Sequence, residues 1–229
     1  MIPKILKSTM ILTICVSIWQ LWTNFDLYIA YDNLVSNPTP DLAEIMLKSS
    51  TQSDNSITYR FYALLSSLVA VILASNFLYN KARAKIIRLD LAQKYSKKRI
   101  IGSFFIPFIN FVMPRICINE LEHILRPDSF NLREGITFKK RNPVGDAWWV
   151  LWISSIILQR GLGSYLESSI ASTEGLEAIA AVINKYLLGE TIASVLLIAS
   201  MFNGVKYFAH LFLLSESNGE FGEIQLDPL

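Results

Sequence analysis

The chain is short of the side chains that usually build a chemical site. It has 2 cysteines and 2 histidines in 229 residues. Cys15 lies inside an apolar block and Cys117 at the end of another. No CxxC pair and no cysteine–histidine cluster is present, which argues against a disulfide framework or a metal site. Both cysteines read as small apolar fillers. The two-histidine zincin helix, the dinucleotide glycine loop and the phosphate loop are all missing. No cofactor or metal is therefore expected. Charge is scarce as well. Charged residues make up 17% of the chain, against about 25% in a typical soluble domain. The net charge is only +2, and no nucleic-acid partner is expected.

What is there is apolar. Hydrophobic residues make up 52% of the chain and the mean hydropathy is +0.37. These residues are bunched into blocks, with the charges between them. A spanning helix needs about 20 mostly apolar residues. Four blocks meet that requirement, at about 9–28, 59–79, 147–165 and 191–214. Tryptophan or tyrosine stands near their ends (Trp22, Tyr28, Tyr59, Tyr79, Trp148, Trp149), as at a membrane–water interface. The fold class expected is all-α: a polytopic membrane bundle of four transmembrane helices in a single domain over 1–229. Lys4 and Lys7 before the first block could belong to a signal peptide, but bulky polar residues follow where small ones would be cleaved. A retained helix is expected.

A fifth apolar block, residues 100–118, contains Gly102, Pro107, Asn110 and Pro114. Each proline removes a backbone donor and clashes with the preceding turn. Broken backbone at membrane depth survives only where protein or water covers it. The block is thus either a kinked span or a re-entrant, interfacial segment. Basic residues bear on the choice, because cytoplasmic loops collect them. Lys81, Arg83, Lys85, Arg88, Lys94, Lys97, Lys98 and Arg99 lie before the block, and Arg115, Arg126, Arg133, Lys139, Lys140 and Arg141 after it. A re-entrant segment keeps both groups on the cytoplasmic side, with both termini and the acidic tail at 215–229. The stretch 29–58 then reads as an external loop.

Two shorter stretches look amphipathic. Lys81 to Lys98 carries Ala82, Ile86 and Leu89 on one stripe. Pro114 to Leu125 carries Cys117, Leu121, Ile124 and Leu125. Either could lie flat on a leaflet. Lys97, Lys98 and Arg99 are candidate contacts for anionic lipid head groups. Residues 174–188 read as a helix leading into the last span.

The broken block also carries a resemblance. Phe105-Ile106-Pro107-Phe108-Ile109-Asn110, then Pro114, then Asn119-Glu120-Leu121, resembles a bacterial membrane family called domain of unknown function 4328. The Trp148-Trp149 pair with Trp152 fits the same family. The resemblance spans roughly 59–214 and is sharpest over 102–121. Phe104 stands where a tryptophan is usual, Gly102 sits one position early, and Arg115 replaces a common tyrosine. The resemblance implies a multi-pass protein of the bacterial inner membrane and brings no activity.

The chemical candidates are few. Glu120, Glu122 and His123 crowd one short helix but lack further ligands in reach, so a solvated face is expected. Gly161-Leu162-Gly163-Ser164 with His210 has the wrong order for a serine protease. Lys206 and His210 are four residues apart inside the last span, hence on one face. They are either snorkelling or lining a polar cavity. Asn110 is the favoured candidate for satisfying backbone freed by the prolines. The expected function is non-enzymatic: an interaction, lipid-binding or scaffold module that meets membrane lipids, itself or other membrane proteins. The alternative is a small oligomeric transporter or channel built on the broken segment.

Overall fold

The computed structural model describes residues 1–89, 96–104, 112–126, 142–172 and 174–220. Among them the regular elements are six α-helices and no strand: α1 (Ile2–Ser36), α2 (Pro40–Leu89), α3 (Lys97–Gly102), α4 (Met113–Leu125), α5 (Pro143–Ala171) and α6 (Leu176–Glu220). Three of these, α1, α2 and α6, contain stretches long and apolar enough to cross a membrane. The span expected at 147–165 lies in α5, whose apolar run is interrupted by Gln159 and Arg160.

The helices are longer than the apolar blocks. α2 has 50 residues and α6 has 45, about 75 and 68 Å at 1.5 Å per residue. A hydrocarbon core is about 30 Å thick. The stretch 29–58, expected as an external loop, is helical except at residues 37–39. Thr39 caps the second helix, its hydroxyl oxygen accepting from the Leu42 N–H at 3.3 Å, and Asp41 complements the dipole in the first turn. The flat helix expected over 81–98 is also revised. Lys81 to Leu89 is the end of α2, and α3 starts afresh after Ser96, whose side chain accepts from the Arg99 N–H. Helix α6 does begin at Leu176, as the apolar pattern of 174–188 predicts. Gly175, at φ 93°, makes the turn before it in a conformation that side chains resist.

The chain divides into two compact units. One comprises Thr9–Ser67 and Trp148–Phe202. Polar side chains line much of its buried α1–α2 seam while many large apolar ones point outward, the reverse of a water-soluble domain. Along α1 the polar Thr13, Ser17, Gln20, Thr23 and Asn24 are buried at helical spacing, beside the apolar Met10, Leu27 and Ala30. Ile11, Leu12, Ile18, Trp22 and Phe25 point outward. Thr13 Oγ1 lies 2.8 Å from Ser67 Oγ and 3.1 Å from the Ala63 carbonyl oxygen. Thr23 Oγ1 lies 2.9 Å from Ser56 Oγ, and the Ser53 hydroxyl donates to Asn24 at 3.0 Å. Small residues let helix backbones approach and hydroxyls bond across, as in membrane bundles. On α6, Gly189 makes room for Leu162, whose side chain would collide with any Cβ there. The Ser200 hydroxyl donates to the Trp148 carbonyl at 2.8 Å.

The other unit comprises Met1–Ser8, Leu68–Ala147 and Asn203–Leu229. It holds the ends of α2 and α6, and α3 packs on α4 within it. Ile100 and Phe104 are buried there, with Leu78, Ala82, Ile118, Leu121 and Leu211.

Candidate functional site

Helix α4 organises the first polar centre. Pro114 occupies its first turn, where a missing N–H costs nothing. Arg126 ends it at φ −67° and ψ 145°, the extended state that a following proline, Pro127, favours. The stripe Cys117, Leu121, Ile124 and Leu125 is buried, as its spacing predicts. Arg115, Asn119, Glu120 and Glu122 are buried too. The expected solvated acidic face is therefore absent, and α4 does not lie flat with one wet side. Its charges tolerate burial because other charges and dipoles meet them.

Glu122 is the hub. Its Oε1 accepts from Arg126 Nη2 at 2.7 Å and from Asn142 Nδ2 at 3.3 Å, and its Oε2 accepts from the Tyr207 hydroxyl at 2.9 Å. The Tyr207 oxygen in turn accepts from Arg115 Nη1 at 2.9 Å. Arg115 also donates to Asp146 Oδ1 at 2.9 Å and to the Asn142 carbonyl at 3.2 Å, and its guanidinium lies 5.0 Å from the Tyr207 ring centre. His210 Nε2 stands 3.8 Å from Glu122 Oε1, with its side chain 46% exposed. Lys85 donates to the Arg126 carbonyl at 2.6 Å. Residues from α2, α4, α5 and α6 thus meet in one network.

The start of α5 is shaped for this. Asn142 caps it, its Oδ1 accepting from the Val144 N–H at 3.0 Å, while its amide nitrogen serves Glu122. Gly145 leaves the space that Arg115 and Tyr207 fill; a Cβ there would sit 2.8 Å from both.

Electrostatics follow from these contacts. Burial pushes the Glu122 carboxyl up, but hydrogen bonds from Arg126 and Tyr207, the Arg126 charge and Asn142 outweigh it. The net pKa lies below the usual carboxylate value. Burial and the nearby Arg126 hold His123 below the usual imidazole range, so it is neutral at pH 7. Burial, then the Glu120 charge, pushes the Cys117 thiol up to about 11, which keeps it protonated and unreactive.

The second centre lies in the unit of Thr9–Ser67 and Trp148–Phe202. Arg60 Nη2 and Glu190 Oε2 form an ion pair at 2.8 Å, with side chains 4% and 5% exposed. Arg60 Nη1 donates to Ser194 Oγ at 2.8 Å, and Gln20 Nε2 donates to Glu190 Oε2 at 3.2 Å. Arg60 and Glu190 both lie within candidate spans. Sequence reading passed them over as block edges. One signal could have found them: each is the charge at the N-terminal end of an apolar run, Arg60 before residues 61–79 and Glu190 before 191–214.

The candidates named from sequence are scattered. Pro107 and Asn110 lie outside the described residues. Gly102 ends α3, half-buried, with open space where a Cβ would stand. Glu120 is buried on α4, one residue from Leu121. Trp148 and Trp149 are buried with Trp152 in one cluster, with ring centres 5.0 to 6.0 Å apart. They are core side chains here, which revises their expected place at an interface. Trp22, 67% exposed, fits such a place. Lys97, Lys98 and Arg99 are exposed on α3, and Lys206 and His210 are exposed on α6. Among the described residues no cluster of three or more histidine, cysteine or acidic side chains could hold a metal.

An all-helical chain with three helices of spanning length and hydrophobicity, a polar-lined seam and many outward apolar side chains belongs to the class of helical membrane proteins. More particularly, it belongs to the family described as domain of unknown function (DUF4328), whose model matches residues 47–209. The match takes in Arg60, Arg115, Glu122, Glu190 and Tyr207 and excludes α1 and His210. No curated protein and no solved structure matches the chain.

Proposed function

We propose that the chain is a multi-pass membrane module that works by interaction and scaffolding rather than by catalysis. The supporting observation is the inward commitment of its buried charges. Both oxygens of Glu122 are bonded, Arg115 is bonded through three nitrogens, and Arg60 pairs with Glu190 and Ser194. Ionisable groups inside spans are costly and often functional. Here they fasten helices to one another. In this reading α5 is the fourth span, its Trp148–Trp152 cluster buried within protein. The start of α1 and the ends of α2 and α6 face the cytoplasm of a bacterial cell, and residues 37–39 face outward. The distribution of lysine and arginine supports that orientation.

Two measurements test it. Single cysteines at Asn37 and Ser129, in a chain whose Cys15 and Cys117 are serine, are treated with an impermeant maleimide. Asn37→Cys should label on intact cells and Ser129→Cys only after permeabilisation. The reverse pattern inverts the orientation. Purified protein in liposomes should add no proton or ion flux under an imposed gradient. A flux that Glu190→Gln abolishes would replace the scaffold with a transporter.

A further inference from the structure

Among its described side chains, the unit built from Met1–Ser8, Leu68–Ala147 and Asn203–Leu229 exposes mainly positive charge. Lys97, Lys98 and Arg99 are exposed along α3. Lys81 and Arg83 are exposed near the end of α2, and Lys4 and Lys7 near the start of α1. Among the side chains described in this unit, the exposed acid is Glu216; Glu120 and Glu122 are buried, and Asp146 pairs with Arg115. The other unit has the opposite character. Its exposed acids are Asp32, Asp41, Glu44, Asp54, Glu174 and Glu177, against Lys48, Arg160 and Lys185. Among the described side chains of the first unit, burial thus withdraws Glu120 and Glu122 while the cations named above stay outside, an arrangement that attracts anions.

Two further features narrow the anion. The same unit exposes large apolar side chains as well: Ile87 is 70% exposed, Val112 58% and Ile5 39%. A surface made only for free phosphate or nucleic acid has no use for them, whereas a bilayer interface takes both. Moreover, Lys4, Lys7, Lys81 and Arg83 belong to the candidate spans Ile2–Ser36 and Pro40–Arg83, close to their ends. Long basic side chains in such positions extend to head-group level. Lys81 already rests its ammonium 5.8 Å from the Phe77 ring centre.

We infer that this basic face, centred on Lys97, Lys98 and Arg99 of α3, binds the head groups of anionic phospholipids while its exposed isoleucines and valine enter the acyl boundary. Helix α3 suits the role because Ile100, buried, holds it to the unit while its first three residues stay outside. This deepens the interaction reading above. It does not depend on sidedness, because the binding can be measured in detergent.

The test uses the full chain purified in a neutral detergent and titrated with fluorescent phosphatidylglycerol or phosphatidylcholine. The wild-type chain should prefer phosphatidylglycerol, and the preference should shrink as salt rises. K97Q/K98Q/R99Q should lose about fivefold in phosphatidylglycerol affinity per cation removed, so about a hundredfold in all. Its helicity should stay unchanged, since all three side chains are exposed. K81Q/R83Q, on another helix, should lose about two-thirds as much on a logarithmic scale. Equal binding of the two lipids overturns the inference, and so does an unchanged affinity in the triple variant. Inorganic phosphate or an oligonucleotide displacing the lipid at matched charge would reassign the face to a soluble anion. A reversed labelling pattern at Asn37 and Ser129 with intact lipid preference would overturn only the orientation.

Discussion

The two polar centres solve the same problem under different conditions. Arg60–Glu190 sits in candidate spanning helices and is nearly closed, with Gln20 and Ser194 bonded to it. The Glu122 centre has at its core a residue outside the spans, and its rim is open: Arg126 is 31% exposed and His210 46%. Glu122 draws on three donors besides the nearby imidazole. A charge far from water must be met by its own partner, because nothing else replaces a lost one. A charge at a half-wet rim has substitutes. The closed centre should therefore be brittle and the open one forgiving.

The sharpest way to break this comparison is at Arg60. Arg60→Ala leaves Glu190 buried without its cation, and the expected loss is about 3 to 5 kcal/mol. Replacing both partners by apolar side chains, Arg60→Met with Glu190→Leu, should recover most of it, since no uncompensated charge remains. Reversible unfolding in mixed micelles measures both. If the single variant costs no more than Glu122→Gln, closure is not what separates the centres.

That pair shows why part of the site escaped sequence reading. Helix α4 was legible because local rules set it: Pro114 opens it, Arg126-Pro127 closes it, and its apolar stripe is regular. The spans were legible from their apolar runs. Glu122 was not, since two acids beside a histidine look like a wet face unless Tyr207, 85 residues further on, is known to lie there. The helical path through Ser49-Ser50-Thr51-Gln52-Ser53-Asp54-Asn55-Ser56 was equally hidden. These residues favour turns and caps when isolated. In α2 the bonds of Ser53 and Ser56 to Asn24 and Thr23 hold the helix, so tertiary contacts override propensity.

At the open centre a smaller effect is expected. Tyr207→Phe removes one donor to a charged acceptor, worth about 1.5 to 3 kcal/mol. The sign of its pH dependence can be worked out. The Glu122 carboxyl has a lowered pKa in the folded state. Its contribution is therefore present above the unfolded carboxylate pKa and lost as pH falls through the folded value. Melting between pH 7 and pH 3 should show wild type losing stability on the acid side. Glu122→Gln should lose less over that range, because nothing titrates at that position. Equal acid sensitivity in both would remove Glu122 from the explanation. Gly145→Ala should act through the same centre, pressing on the buried Tyr207 ring and the Arg115 guanidinium.

The mildest test lies along the α1–α2 seam. Thr13 places its hydroxyl among Ser67 Oγ, the Ala63 carbonyl and, at 3.0 Å, its own-helix Thr9 carbonyl. Thr13→Val keeps the branched shape and deletes only the hydroxyl. Measured interhelical hydrogen bonds in membranes average about 0.6 kcal/mol, because the separated helices find other partners. Ser67 should turn its hydroxyl to a carbonyl of its own helix, so the expected cost is below about 1 kcal/mol. Unfolding of the variant beside Arg60→Ala under identical micelle conditions measures it. A cost approaching that of Arg60→Ala would mean that the hydroxyl seam, and not the charge pair, joins these helices. The ranking of closed charge pair over open network over neutral hydroxyl would then fail at its lower end, where solvation is least demanding.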